Sequence, residues 1–331
     1  MKRLVELLLC CLGLVGGIWA WPVVAATAPL PRIQTAGRDW HDLGLWARAN
    51  RLSFKWDRPA RTVQLASASI HITFGVDSQQ AVLNGVKVWL SFPITPSGAG
   101  LLVSVLDVEK VLNPILNPKR QGPWRPVRTI MLDPGHGGKD PGNQEGSLQE
   151  KRYTLLLAQQ VRAKLQAAGY QVVLTRSRDA FVELTDRAVL ANRTKADLFL
   201  SLHFNSVASR GSGAEGIETF CLTPHTAAST HAPPQNTAGS VLAGHKTSSE
   251  SVLLAYQLQK ALVRRLNMTD RGVKHARFVV LRDATMPAVL IEGGFMSDRS
   301  DLRKITDPAA RGRMADAIVE AVRIYRQQIG G

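Results

Sequence analysis

Val127-Arg128-Thr129-Ile130-Met131-Leu132-Asp133-Pro134-Gly135-His136-Gly137-Gly138 is the stretch on which the reading of the fold turns. Val127 to Leu132 is a short apolar run of the buried-strand type, and it breaks directly into a glycine-rich turn. From there to the C-terminus strand and helix patterns alternate, the mark of an α/β domain. An amphipathic helix over Glu150 to Ala168 stops at Gly169, and a strand follows over Tyr170 to Thr175. Further helices are expected at Asp186–Lys195 and from Thr247 to about Asn267, where Thr247-Ser248-Ser249-Glu250 has capping-box spacing. Strands are expected at Asp197–His203, Gly216–Leu222, Phe278–Leu281 and Ala288–Ile291. Asp307-Pro308 opens a last helix as cap and first helical residue.

Upstream lies a different texture. Trp40 to Ala47 reads as a helical start with Leu43, Trp46 and Ala47 on one face, and a helix near Val105–Leu116 ends at Pro118. Between them are short alternating strands, Ser53–Trp56, Thr62–Leu65, Ile70–Phe74, Ala81–Leu83 and Val86–Leu90, the last two flanking the hairpin signal Asn84-Gly85. Residues 33–118 thus read as a small α+β domain, and 119–126, basic and proline-bearing, as a linker to a domain over 127–331. Met1-Lys2-Arg3, the apolar run Leu4–Trp21, Pro22 and small-residue cutting sites at Ala26 or Ala28 read as a signal peptide over 1–26, with an uncleaved anchor as the alternative.

Export bears on partners. Net charge is +15, and removing Lys2, Arg3 and Glu6 leaves +14. Such a field favours polyanions. An exported protein rarely meets nucleic acid, so an anionic wall or membrane surface in the periplasm or cell envelope is the expected partner, with plain solubility as the bland alternative. With Cys10 and Cys11 in the leader, Cys221 cannot pair within its chain and reads as a buried strand cysteine.

Four residues carry the chemistry. His136 follows the first strand, Glu150 opens the next helix, and His203 and Glu292 end strands in Ser201-Leu202-His203-Phe204-Asn205 and Leu290-Ile291-Glu292-Gly293-Gly294. Ligands collect beyond the carboxyl ends of strands in α/β sheets. Two histidines and a carboxylate suit a catalytic Zn2+ whose fourth position is left to water. A carboxylate off the metal must then carry the proton, and Glu292 supplies it. Singly, each of these residues has a bland reading as a packed histidine or a first-turn helix acid. The glycine run is no phosphate loop, since Lys139 precedes Asp140, and there is no His-Glu-x-x-His helix. His41 and His71 lack convergent partners and read as ordinary surface or packing residues.

The run Leu132–Gly142, then Glu150-Lys151, Leu174-Thr175-Arg176, Arg187, Ala191-Asn192, Ala196–Asn205, Asp270–Lys274 and Pro287–Ser297, resembles the zinc N-acetylmuramoyl-L-alanine amidases over about residues 127–328. The resemblance implies a mixed, mostly parallel sheet of about six strands flanked by helices. It implies His136, Glu150 and His203 as zinc ligands, Glu292 as general base and acid, and peptidoglycan as substrate, cut between N-acetylmuramic acid and L-alanine. Residues 35–118 resemble the stalk-type domain of copper amine oxidases. Arg187 and Asn192 are expected to bridge neighbouring elements, and Asn205 to orient His203 or touch substrate. Glu145 ranks below Glu150 as a ligand. Residues 223–246, with Pro224, Pro233 and Pro234 and no apolar stripe, form a flexible insertion, a lid or substrate-contacting loop rather than a blocking helix, whose His225, His231 and His245 are expected to be solvated. A zinc peptidase cutting another stem-peptide bond and a non-catalytic wall-binding protein are the alternatives.

Overall fold

The computed structural model describes residues 29–98, 100–118, 126–208, 213–231 and 240–330; residues 1–26, read as a signal peptide, and most of 119–126, read as a linker, lie outside them. From Pro31 onward the chain forms one compact unit. Its strands are β1 (Ile33–Thr35), β2 (Arg38–Asp42), β3 (Ser53–Asp57), β4 (Thr62–Ala66), β5 (His71–Gly75), β6 (Gln80–Leu83), β7 (Val86–Trp89), β8 (Thr95–Ser97), β9 (Gly100–Ser104), β10 (Thr129–Pro134), β11 (Gln144–Glu145), β12 (Leu148–Gln149), β13 (Gln171–Leu174), β14 (Leu198–Asn205), β15 (Ile217–Leu222), β16 (Asp270–Ala276) and β17 (Ala288–Phe295). The α-helices are α1 (Leu43–Ala49), α2 (Val105–Asp107), α3 (Asn113–Leu116), α4 (Glu150–Ala167), α5 (Leu184–Arg193), α6 (Ser248–Leu266), α7 (Val279–Arg282), α8 (Arg299–Thr306) and α9 (Pro308–Gln328); a π-helical turn joins α2 to α3.

Six strands of the C-terminal region, the number expected, run in the order β13-β10-β14-β17-β15-β16; five are expected strands, and β16 stands in place of Phe278–Leu281. The first four are mutually parallel, β15 is antiparallel to β17, and β16 is parallel to β15. The sheet does not end there. Val88 of β7 pairs with Val273 of β16, and the meander β7-β6-β5-β4-β3 continues the same sheet to eleven strands. The Lys87 amide donates to Asp270 (2.7 Å), the Trp89 indole to the Arg271 carbonyl (3.1 Å) and the Tyr256 hydroxyl to the Leu83 carbonyl (3.1 Å). The segment read as a separate small domain thus covers what would otherwise be an open edge at β16, and exposed edges are a liability. Its remaining strands form a second sheet, β1-β2-β9-β8.

Local differences have local causes. Phe278–Leu281 is not a strand: Phe278 precedes the helical turn α7, since a four-residue apolar run carries no period that separates helix from strand. The helix expected from Trp40 starts at Leu43, where the Asp42 carboxylate caps the Leu45 amide (2.7 Å), and Trp40 belongs to β2. Thr247 makes no side-chain cap on α6. Asp307 does cap α9, accepting from the amides of Ala309 and Ala310 ahead of Pro308.

The parallel strands set the layers. Right-handed crossovers put α4 and α5 on opposite faces of the sheet. Met131, Phe199 and Leu290 point from β10, β14 and β17 into a cluster with Ala191 of α5 and Val280 and Leu281 of α7. Side chains alternate along a strand, so stepping by twos from that cluster leads from Phe199 to Ser201 to His203, and from Leu290 to Glu292. The core face of α5 and α7 therefore runs directly into the site.

Candidate metal centre

His136, Glu150 and His203 converge, each offering one ligand atom within 4.8 Å of the others. His136 Nε2 lies 3.1 Å from Glu150 Oε2 and His203 Nδ1 3.0 Å from Glu150 Oε1. Glu150 is buried, and its two oxygens also accept the amides of Asn143 (2.9 Å) and Phe204 (3.0 Å). Burial opposes its charge, but the hydrogen bonds from His136 and His203 prevail and hold the carboxyl well below the usual range. Glu145, in β11, is not part of this group. His41 sits buried in β2 against the Pro31 carbonyl (2.8 Å), and His71 is on the surface.

His136 is oriented from behind. Its Nδ1 lies 2.8 Å from Asp140 Oδ2, the carboxylate–histidine pairing that fixes tautomer and ring direction in metal sites and leaves Nε2 for the ligand. Burial disfavours the charged ring, yet Glu150 and Asp140 outweigh it and raise the His136 pKa. The backbone here is held under constraint, because His136 adopts φ 63°, a left-handed conformation that survives only where surroundings over-determine it. Two buried arginines do so. Arg176 donates to the carbonyls of Pro134 (2.9 Å) and Gly135 (2.8 Å). Arg187 donates to those of Pro134 (3.0 Å) and His136 (3.1 Å) and is ion-paired with buried Asp133 (2.8 Å). Arg187 thus bridges elements as expected, as does Asn192, which ties α5 to Asp283 and Thr285. At Gly135 an added Cβ would overlap the His203 ring, and at Gly142 it would crowd His136 and Glu150. The glycines there make room for these three side chains.

Glu292 sits on β17 as the register partner of His203 on one side and Glu218 on the other. Its Oε2 is buried and has no hydrogen-bond partner. Burial first, then the neighbouring charges of Glu150 and Glu218, push its carboxyl well above the ordinary value. Glu218 is a buried acid that sequence reasoning passed over. It is neutralised by Lys274 (2.7 Å) and Arg271, and Asn205 donates to its other oxygen (3.4 Å). Asn205 is therefore tied to Glu218 and does not bond His203. A signal did exist for this cluster, since Lys274 and Arg271 are charges inside a strand, but nothing local said that they meet Glu218.

A cleft of about 390 Å³ opens on the site. His136, His203, Glu150 and Glu292 form one part of its lining, and Leu184, Phe278, Val279, Val280 and Leu290 supply an apolar wall, with Arg277 and Asn143 as further polar groups. This wall was missed because Phe278 was read as strand. The flanks of the 223–246 insertion pack beside the cleft; His225 and His231 are exposed, as expected of solvated histidines, whereas His245 is half-buried. His231 stacks edge-on against Trp89 (4.5 Å between rings), and His245 accepts the Leu242 amide at Nδ1 while Nε2 meets the Thr223 carbonyl (3.1 Å). Cys221 is buried in β15, where burial drives its thiol up to about 12.

The chain matches known proteins over the part that builds this site. The family model Amidase_3, described as N-acetylmuramoyl-L-alanine amidase, matches residues 130–323. N-acetylmuramoyl-L-alanine amidase LytC of Bacillus subtilis (strain 168) is 36% identical over 216 residues, covering 65% of this chain and 38% of that protein. N-acetylmuramoyl-L-alanine amidase AmiC of Neisseria meningitidis serogroup B is 35% identical over 223 residues, covering 61% of this chain and 53% of that protein. In each case the match spans less than two thirds of the relative. The crystal structure of an N-acetylmuramoyl-L-alanine amidase from Clostridium difficile 630 superposes with a TM-score of 0.51 at 33% identity, covering 61% of this chain and 97% of that one. With the matched residues spanning more than half of its length and holding the whole His136–Glu150–His203–Glu292 group, the chain belongs to the N-acetylmuramoyl-L-alanine amidase family.

Proposed function

We propose that this chain hydrolyses the amide between N-acetylmuramic acid and L-alanine in peptidoglycan, with zinc held by His136, Glu150 and His203 and with Glu292 as the proton carrier. One observation carries the reading: two imidazoles and a buried carboxylate converge within 4.8 Å, and a protonatable acid stands on the adjoining strand. The donor set fits zinc, since two nitrogens and one oxygen leave a fourth tetrahedral position open, and Asp140 fixes the His136 ring as the partner of a metal-bound histidine would. Zinc, when bound, supplies a Lewis acid and lowers the pKa of a coordinated water to ~7.

The chain's own groups do the rest. Glu150 stays anionic because two imidazoles and two amides face it. Glu292 takes a proton from the attacking water and passes it to the departing alanine nitrogen. The apolar wall of Leu184, Phe278 and Val279 limits water around the scissile bond. Residues 1–26 would act as an export signal that delivers the chain to the periplasm or cell envelope, where peptidoglycan lies, and the excess of basic side chains would favour an anionic wall or membrane surface. Residues 33–118 keep the stalk-like reading as a proposal, with the added role of closing the β16 edge.

Mass spectrometry of purified peptidoglycan, digested with and without a chelator, tests this. Release of intact stem peptides with a free alanine amine, abolished by chelation, is the expected result; shortened peptides would mean a peptidase, and no release would mean a binding protein. Glu292→Gln is expected to keep bound zinc in a metal assay and to lose at least about 100-fold in turnover. Unchanged turnover would remove Glu292 from its role.

A further inference from the structure

Beside the metal cleft lies a second cavity of about 440 Å³, and among the described residues Asn143 alone lines both. Three hydrogen bonds fix its place. The Asn143 amide donates to Glu150 Oε2 (2.9 Å), its carbonyl accepts the Glu150 amide (2.9 Å), and its side-chain nitrogen donates to the Phe204 carbonyl (2.8 Å). Glu150 belongs to the convergent group, and Phe204 follows His203, which belongs to it too. The carboxamide is therefore braced against the metal centre. Its Oδ1 is left over: that oxygen makes no hydrogen bond among the described residues and is not enclosed in the core, so it stands open as an acceptor where the two cavities meet.

The two cavities differ in chemistry. The metal cleft has the apolar wall of Leu184, Phe278 and Val279. The second cavity is lined by the Asn143 carboxamide, Gln144 and the hydroxyl residues Ser206 and Ser297; Glu145 is the charged residue on its lining, and no lysine or arginine joins it among the described residues. The Ser206 hydroxyl, like Asn143 Oδ1, has no hydrogen-bond partner among them. Uncharged donors and acceptors suit a ligand rich in hydroxyl and amide groups, and a carboxylate finds no cation there. On the reading of the site as a muramoyl-alanine amidase, the substrate has one half of each kind. The glycan half is uncharged once its lactyl carboxyl is tied up in the scissile amide, and it presents hydroxyl and acetamido groups. The peptide half carries the alanine methyl and free carboxylates. We infer that the second cavity is a saccharide subsite and that Asn143 is a specificity-determining residue, its Oδ1 accepting a hydrogen bond from the muramoyl sugar, with the peptide left to the Phe278 wall. This inference rests on the proposed amidase function for the identity of the substrate, and its test reads binding rather than turnover.

Two probes share the same lactyl–alanyl amide and the same peptide: a muramoyl-dipeptide, and the lactoyl-dipeptide that lacks the sugar ring. Their dissociation constants are measured by calorimetry on the zinc-loaded full chain carrying Glu292→Gln, alone and with Asn143→Ala or Ser206→Leu added. With Asn143 and Ser206 in place, the muramoyl form is expected to bind about tenfold tighter, the effect of one or two neutral hydrogen bonds. Asn143→Ala should cut that preference to about threefold or less by weakening only the muramoyl form. Ser206→Leu leaves every bond between Asn143 and the metal centre intact and should do the same by filling the cavity; it decides alone if Asn143→Ala does not fold. Equal binding of both probes, binding of neither, or a preference that survives either substitution would each overturn the assignment. An equal loss for both probes in Asn143→Ala would reduce Asn143 to a brace for Glu150. Release of stem peptides from peptidoglycan reports separately on the amidase reading: release with equal probe affinities rejects the subsite alone, and a sugar-dependent affinity without release rejects the amidase alone.

Discussion

The two ends of the eleven-stranded sheet handle buried charge in opposite ways. Around β10, β14, β15 and β17 the interior holds Asp133, Glu150, Arg176, Arg187, Glu218 and Lys274, all nearly inaccessible. Across the N-terminal segment, β1 to α3, the buried ionisable groups among the described residues are Asp107 and His41, and the core is otherwise apolar, from Trp46 and Val63 to Phe74 and Leu112. Desolvating a charge costs several kcal/mol unless it is paired. The C-terminal region bears that cost where its charges are paired, and there they hold a left-handed His136 beside Glu150 and His203. The described residues of the N-terminal segment bury apolar area and pair with β16.

The largest effect should come from breaking this contrast on the charged side. Arg187→Met leaves Asp133 in the core with only the hydroxyls of Thr175 (2.6 Å) and Ser201 (2.8 Å), and strips a donor from each of the carbonyls of Pro134, His136 and Val182. Loss of about 3–5 kcal/mol in urea unfolding is expected. A loss under about 1 kcal/mol would mean that the pair is not what sustains the His136 loop.

The apolar side can be sharpened by its one buried carboxyl. Asp107 accepts the amides of Ser91 (2.6 Å) and Phe92 (3.1 Å), yet burial dominates and raises its pKa from 3.8 to about 6. A carboxyl with a folded pKa above its unfolded one binds its proton more tightly when folded. Its contribution is complete below pH ~4 and is lost as pH rises through ~6, about 3 kcal/mol at 1.36 kcal/mol per unit. Asp107→Asn should flatten that part of the stability–pH curve relative to the unsubstituted chain. An unchanged slope between pH 4 and 6 would assign it to another group.

What could be read from the sequence divides along the same line. Five of the six C-terminal strands were legible because each is a local event, an apolar run bounded by turn or polar residues, and the residues singled out at or after those runs and at the start of α4 are the ones the fold brings together. Asp307-Pro308 and Asn84-Gly85 were legible for the same reason. Pairings between distant segments were not. Nothing near Val88 announces Val273, and β16 hides because it opens with Asp270-Arg271-Gly272, residues typical of turns. Glu218 escaped because its surroundings are set by what lies across the sheet. The solvated reading of His245 failed likewise, since its partner Thr223 stands at the opposite end of the insertion.

The seam between the two ends is the place to ask whether they are one structure, and Gly272 is the residue to change. It adopts φ 93°, and an added Cβ would stand 3.0 Å from both the Cβ and the carbonyl oxygen of Lys87, on the strand that joins the N-terminal meander to β16. Gly272→Ala therefore imposes both a backbone conformation that L-residues avoid and a push against β7, for about 2 kcal/mol. If the sheet is continuous, that cost appears as a shift of a single transition, seen equally by tryptophan fluorescence and by far-ultraviolet circular dichroism. A substitution that splits the transition in two, with the amidase half unmoved, would show that the meander merely leans on β16, and the edge-closing role would go with it.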